Sequence, residues 1–144
     1  MQSPLRRNES VVTSVRSRAA RASRVDSQEL DGLFDTLVRL PSVSIDHLGL
    51  AQAGFRTLRK LAERGIRVKA TGFGRVDFDV PTALRELYAA NPECLMFGTD
   101  LPSTRAPRPY QDEDFLLVIN TLGEEAAQKV FYDNAARFYR VAQL

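Results

Sequence analysis

The chain has 144 residues, 44% of them hydrophobic and 26% charged, enough for one domain with a packed core. No apolar run approaches the ~20 residues that a membrane-spanning helix requires. The single cysteine, Cys94, excludes an intrachain disulfide and fits a reducing cytoplasm, and the single histidine, His47, excludes a multi-histidine metal site within one copy.

The net charge of +2 is unevenly spread. Residues 1–25 hold six arginines against Glu9 alone, a balance of +5, and the remaining residues hold 14 basic and 17 acidic side chains, a balance of −3. The body is therefore mildly acidic and offers no electrostatic footprint for nucleic acid. Residues 1–25 are rich in Arg and Ser, poor in large apolar residues and without a sustained period, so they read as a disordered tail. The same composition fits an organelle transit peptide or coding sequence read from a displaced start. Residues 26–144 read as the folded domain.

The first predicted element is a helix over 27–40. Asp26 and Glu29 have capping-box spacing, Leu30, Leu33, Phe34, Leu37 and Val38 form one apolar stripe, and Pro41 stops the helix. A short strand follows over 43–49, with Asp46 and His47 at its end and Gly49 opening a turn. A second helix over 51–64 stops at Gly65. A second strand over 66–72 leads to the polar loop from Phe73 to Asp77. Pro81 suits the first turn of a third helix running to Ala90, and Asn91-Pro92 ends it. The apolar run Leu95-Met96-Phe97 then reads as a buried strand within 94–100, closed by Gly98, Thr99 and Asp100. A loop with three prolines follows, then helices over 112–122 and 124–141, separated by Gly123.

Strands alternating with helices of this length predict right-handed βαβ units and a parallel sheet, here of three strands. Such a sheet leaves two open edges, so a homo-oligomer joined through them is expected. The strands end in Asp46 and His47, in Thr71 with Arg75 beyond it, and in Thr99 and Asp100. In a parallel sheet those ends share one side, where α/β enzymes keep their working groups. There His47 can hold or deliver a proton near neutral pH, Asp100 can activate water, and Arg75 can clamp a substrate carboxylate. Each also has a plain structural role to play, as a loop hydrogen bond, a turn cap or a surface charge. Lys69 lies mid-strand, as an interior amine or an edge charge. Cys94 reads as a small buried apolar residue rather than a nucleophile. Gly72-Phe-Gly has the first two glycines of a dinucleotide fingerprint but not the third, and Pro81 delays the next helix, so that motif is rejected.

Four segments occur in order: Val-Ser-Ile-Asp-His-Leu-Gly (43–49), Val-Lys-Ala-Thr-Gly-Phe (68–73), Leu-Met-Phe-Gly-Thr-Asp-Leu-Pro (95–102) and Asp-Asn-Ala-Ala-Arg-Phe-Tyr (133–139). Together they resemble the carboxyl-terminal part of the amidohydrolase-related (type 2) family, which includes 2-pyrone-4,6-dicarboxylate lactonase. The resemblance implies an α/β fold, a partial (β/α)8 TIM barrel made of about the last three βα units plus C-terminal helices. It implies an amidohydrolase-type hydrolase acting through activated water on a lactone, ester or amide carbonyl of a small carboxylated substrate. Asp100 would match the eighth-strand aspartate that activates water or binds a metal. His47 would match the histidine at the substrate carbonyl, and Arg75 an arginine on a substrate carboxylate.

The family's first strand carries a His-x-His pair, which this chain lacks, and no strand is predicted before the 27–40 helix. No cofactor is therefore expected in this chain, although a divalent metal such as zinc is implied for a complete family member. A complete barrel usually takes about 250 residues, so the chain reads as the last three-eighths of an enzyme and is expected not to turn over substrate alone. The alternative expectation is a non-catalytic remnant or interaction protein that oligomerises through its open strand edges.

Overall fold

The computed structural model describes residues 13–15 and 27–141. Its strands are β1 (Thr13–Val15), β2 (Val43–Ile45), β3 (Arg67–Ala70) and β4 (Leu95–Phe97). They form one sheet in the order β1-β2-β3-β4, every pair parallel. Helices α1 (Ser27–Arg39), α2 (Phe55–Glu63) and α3 (Val80–Ala90) connect them. After β4 come α4 (Asp112–Leu122), α5 (Glu124–Gln128), a π-helical turn over Lys129–Asp133, and α6 (Asn134–Tyr139).

The sheet thus has one strand more than the three that the sequence predicts. The added strand lies inside the 1–25 stretch that reads as disordered, and it pairs with β2 through Thr13 to Val43 and Val15 to Ile45. Its sequence explains the difference. Val11-Val12-Thr13-Ser14-Val15 is a β-branched run, favourable on a pleated surface, set among arginines that dominate the average. The expected cap at Asp26 lies outside the described residues.

Strands added in a single direction by right-handed crossovers place every connecting helix on the same side of the sheet. Burial agrees with that arrangement. Val43, Ile45, Val68, Ala70 and Leu95 join Leu37, Leu58, Leu61, Leu84 and Leu87 in one core. Because side chains alternate along a strand, Ser44, Arg67, Lys69 and Met96 take the opposite face. Leu58 and Leu61 are almost fully enclosed, so truncating either to alanine should cost about 2–5 kcal/mol.

Local chemistry sets the element ends. At α3 the Asp79 side chain accepts from the Thr82 amide at 2.9 Å, with Pro81 in the first turn. The hydrogen bond from the Thr82 hydroxyl, together with this one from its amide, holds the Asp79 carboxyl below its ordinary pKa. At α4 a capping box joins Gln111 and Asp114, and Arg108 grips the Asp114 carboxylate with two bonds of 2.8 and 3.0 Å. The strand expected over 43–49 is shorter, β2 ending at Ile45, because the backbone turns at Asp46 into a 3-10 turn over His47–Gly49. The predicted 124–141 helix is interrupted by the π turn, after which Asn134 points inward, 1% exposed. Its Nδ2 donates to the carbonyls of Pro92 and Leu95 at 3.0 Å each, tying the C-terminal segment to β4. Among the described residues no helix is long and apolar enough to cross a membrane.

Candidate active site

All strands run the same way, so the loops that leave β2, β3 and β4 emerge at one edge of the sheet. The β2 loop carries Asp46 and His47, the β3 loop Thr71 and Arg75, and the β4 loop Thr99 and Asp100. The two outer loops are bent. His47, Leu48, Leu50, Asp100, Ser103 and Arg105 all have positive φ, a region that costs a side chain energy and that clusters at functional loops.

The three residues that the sequence singles out are brought together. Arg75 Nε donates to Asp100 Oδ2 at 2.6 Å, and Arg75 Nη2 donates to the Thr104 carbonyl at 3.0 Å. His47 Nε2 lies 3.9 Å from Asp100 Oδ1, beyond hydrogen-bond reach but close enough for the charges to interact. On its other side His47 Nδ1 meets the Thr71 hydroxyl at 2.8 Å. About one-fifth of each side chain is exposed: 23% for His47, 19% for Asp100 and 19% for Arg75. Burial pushes the His47 pKa down. The Asp100 and Asp46 carboxylates oppose that shift, and the Arg75 and Lys69 cations add to it, with a net lowering.

Two glycines make this packing possible. At Gly72, with φ +61°, a Cβ would come within 2.7 Å of His47 Nδ1 and 2.9 Å of Arg75 Cδ. At Gly74 a Cβ would collide with the Arg108 carbonyl oxygen, so the β3 loop can lie against the long β4 loop only without one. Between these loops opens a cleft lined by residues that include Phe73, Phe97, Asp100, Ser103 and Tyr110. Of the three candidate residues, only Asp100 lines it.

Sequence reasoning placed Thr71 at a strand end without a partner, and the structure makes it the hydrogen-bond partner of the histidine. It also missed the Thr104 carbonyl on Arg75, since no pattern marks a backbone acceptor. Lys69 lies on the sheet face opposite the helices and pairs with Asp46 at 2.9 Å. Cys94 is fully buried, and burial pushes its thiol up to about 12, which leaves it un-ionised and unreactive.

The described side chains do not by themselves form a metal centre. His47 and Asp100 supply two donors, one Asp100 oxygen is engaged by Arg75, and no group of three or more His, Cys, Asp or Glu side chains is placed to hold an ion. What the cluster can do is narrower. A carboxylate is held by an arginine beside an imidazole, at a cleft lined by both aromatic and polar side chains.

In comparisons with known proteins, no curated protein and no solved structure matches the chain. A family model described as amidohydrolase matches residues 10–141, a span that includes β1 and reaches the end of the described residues. With nearly the whole chain inside that match and the strand-end cluster in place, this chain belongs to the amidohydrolase family.

Proposed function

We propose that the cluster of His47, Arg75 and Asp100 serves hydrolysis of a lactone, ester or amide carbonyl in a small carboxylated substrate, as in lactonase-like members such as 2-pyrone-4,6-dicarboxylate lactonase. The observation that carries this reading is the convergence of His47 and Asp100 from two separate strand ends. Asp100 lines the cleft and takes a proton from an attacking water. His47 donates to the carbonyl oxygen as charge develops there. Arg75 holds the Asp100 carboxylate in place, and with its remaining N–H groups meets a substrate carboxylate.

One-sided helices and a four-stranded, one-directional parallel sheet are what half of an eight-stranded (β/α)8 barrel would present. The reaction is therefore assigned to a completed barrel. The test uses the 144-residue chain and a panel of small dicarboxylates, read through the ring resonances of its single histidine. Expected is a saturable shift of His47 that Arg75→Ala abolishes, without turnover of carboxylated lactones. No shift from any dicarboxylate at about 10 mM, a concentration that detects even millimolar binding, would overturn the reading. Lactone turnover lost in Asp100→Asn would support the chemistry and show that four strands suffice for it.

A second reading is favoured by a separate observation. Exposed large apolar side chains occur on α1, at Leu33, and on α4, at Phe115 and Leu116, but not on α2 or α3. In chain order α1 follows β1 and α4 follows β4, the two end strands of the sheet. A non-catalytic chain that pairs with a second copy through these edges would use such residues. Light scattering tests it: a dimer that Leu116→Lys splits supports this reading, and a monomer at high concentration removes it.

A further inference from the structure

We propose that Thr71 is a positioning residue that fixes the tautomer of His47, donating its hydroxyl proton to Nδ1 so that the ring proton sits on Nε2 and faces Asp100. The chemical consequence rests on the hydrolase reading above, but the proton's position is measurable without any turnover.

A neutral imidazole carries one N–H and one lone pair, and the two neighbours of His47 differ in what they accept. Asp100 Oδ1, 3.9 Å from Nε2, belongs to a carboxylate whose oxygens only accept. A lone pair at Nε2 would face that negative charge, whereas an N–H there is attracted to it. The Thr71 hydroxyl, 2.8 Å from Nδ1, can donate the hydrogen bond that a lone pair there needs, so it holds the same state that the carboxylate favours and the two act together. With the proton at Nε2, Nδ1 must accept, and Thr71 is the partner within reach to donate.

The local packing leaves the ring little freedom. A Cβ on Gly72 would fall 2.7 Å from Nδ1, so the backbone itself lies against this side of the ring. The Thr71 methyl, Cγ2, packs against Gly98, where a Cβ would come within 3.0 Å, and this turns Oγ1 toward the histidine. The Thr71 hydroxyl thus arrives from β3, the histidine from β2 and the carboxylate from β4. Three strands jointly set one proton.

The consequence is a division of labour. With Nε2 protonated and neutral, His47 is a hydrogen-bond donor to a carbonyl oxygen and has no lone pair facing the reacting atoms. It polarises, and proton abstraction falls to Asp100 alone. The opposite tautomer would make His47 a second base beside the first.

The experiment is nitrogen NMR on the full chain labelled with 15N-histidine, at about pH 8.5, roughly two units above the ordinary histidine pKa. His47 is the one histidine, so its two ring nitrogens give a single set of signals. Expected are a protonated-type shift for Nε2 and a lone-pair-type shift for Nδ1. In Thr71→Val the two shifts move toward each other as the tautomers mix, and Thr71→Ser restores the native values. Protonated Nδ1 in the wild-type chain, or shifts unchanged in Thr71→Val, would overturn the proposal. Should Thr71→Val fail to fold, the wild-type and Thr71→Ser spectra decide. The expected tautomer together with no response to dicarboxylates would remove the hydrolase reading alone. The wrong tautomer with a saturable response would remove only the role given to Thr71.

Discussion

Arg75 Nε and Asp100 Oδ2 lie 2.6 Å apart and join the loop after β3 to the loop after β4. Both side chains are about four-fifths buried, so this is more than a surface ion pair, and the second Arg75 bond to Thr104 extends the clamp along the β4 loop. Arg75→Ala leaves a largely buried carboxylate without its cation. Charge-assisted bonds of this kind contribute about 1.5–3 kcal/mol. Urea unfolding should show a loss of about that size, and Arg75→Lys should recover only part of it, because an ammonium cannot span both acceptors. An unchanged midpoint in Arg75→Ala would mean that the pair adds nothing.

His47 predicts how stability changes with pH. Burial lowers its folded pKa below the unfolded value of about 6.5. Between the two values the unfolded chain binds more protons, so this residue's contribution is intact above pH 6.5 and declines as pH falls toward the folded pKa. Asp100 and Asp46 temper the decline, and Arg75 and Lys69 steepen it. Thermal melts of wild type and His47→Gln across pH 7.5 to 5 give the check, where these limits bracket the unfolded histidine value. The wild-type curve should fall more steeply than the variant's.

Gly74→Ala should disturb the site without touching any of its charged groups. The new methyl meets the Arg108 backbone carbonyl, which cannot swing away as a side-chain tip would. Either the β3 loop or the β4 loop must shift, at a cost of about 1–3 kcal/mol. A lowered melting temperature, with chemical-shift changes at both Arg75 and Arg108, is the expected pattern. Changes confined to Gly74's immediate neighbours would show that the loops are not in close contact.

Asn134 makes a separate prediction far from the site. On β4 the Cys94 carbonyl and the Gly98 amide bond to β3, so in the alternation of a parallel ladder the Leu95 carbonyl points to the outer edge. Asn134 Nδ2 caps it and also holds the Pro92 carbonyl. Asn134→Ala removes both bonds from a nearly sealed site and should cost about 2–3 kcal/mol, read by denaturant unfolding. Asn134→Asp should be at least as harmful, since a carboxylate cannot donate to either carbonyl.

Cys94 should resist thiol reagents in the native chain. Its sulfur is fully buried and its pKa is raised to about 12, so neither access nor thiolate is available. Modification by a disulfide reagent should be undetectable until denaturant is added and then rapid. Fast labelling under native conditions would show that the β4 edge opens readily.

The sequence alone determined the βα alternation, the parallel sheet, and α4 to its observed ends, because these follow from apolar periods, prolines and glycines that act within a few residues. It also brought forward His47, Arg75 and Asp100, since polar groups at the ends of buried parallel strands must share one side. It did not disclose β1, whose short β-branched run is outweighed by the surrounding arginines until β2 offers a partner. Nor did it disclose that Arg75 clamps Asp100, that Thr71 faces His47, or that Gly72 and Gly74 are empty so that loops can touch. Those relations join residues 24 to 34 positions apart and depend on strand register and loop path. Only the tertiary structure fixes them, because register is set by packing across the sheet rather than by any local preference of the chain.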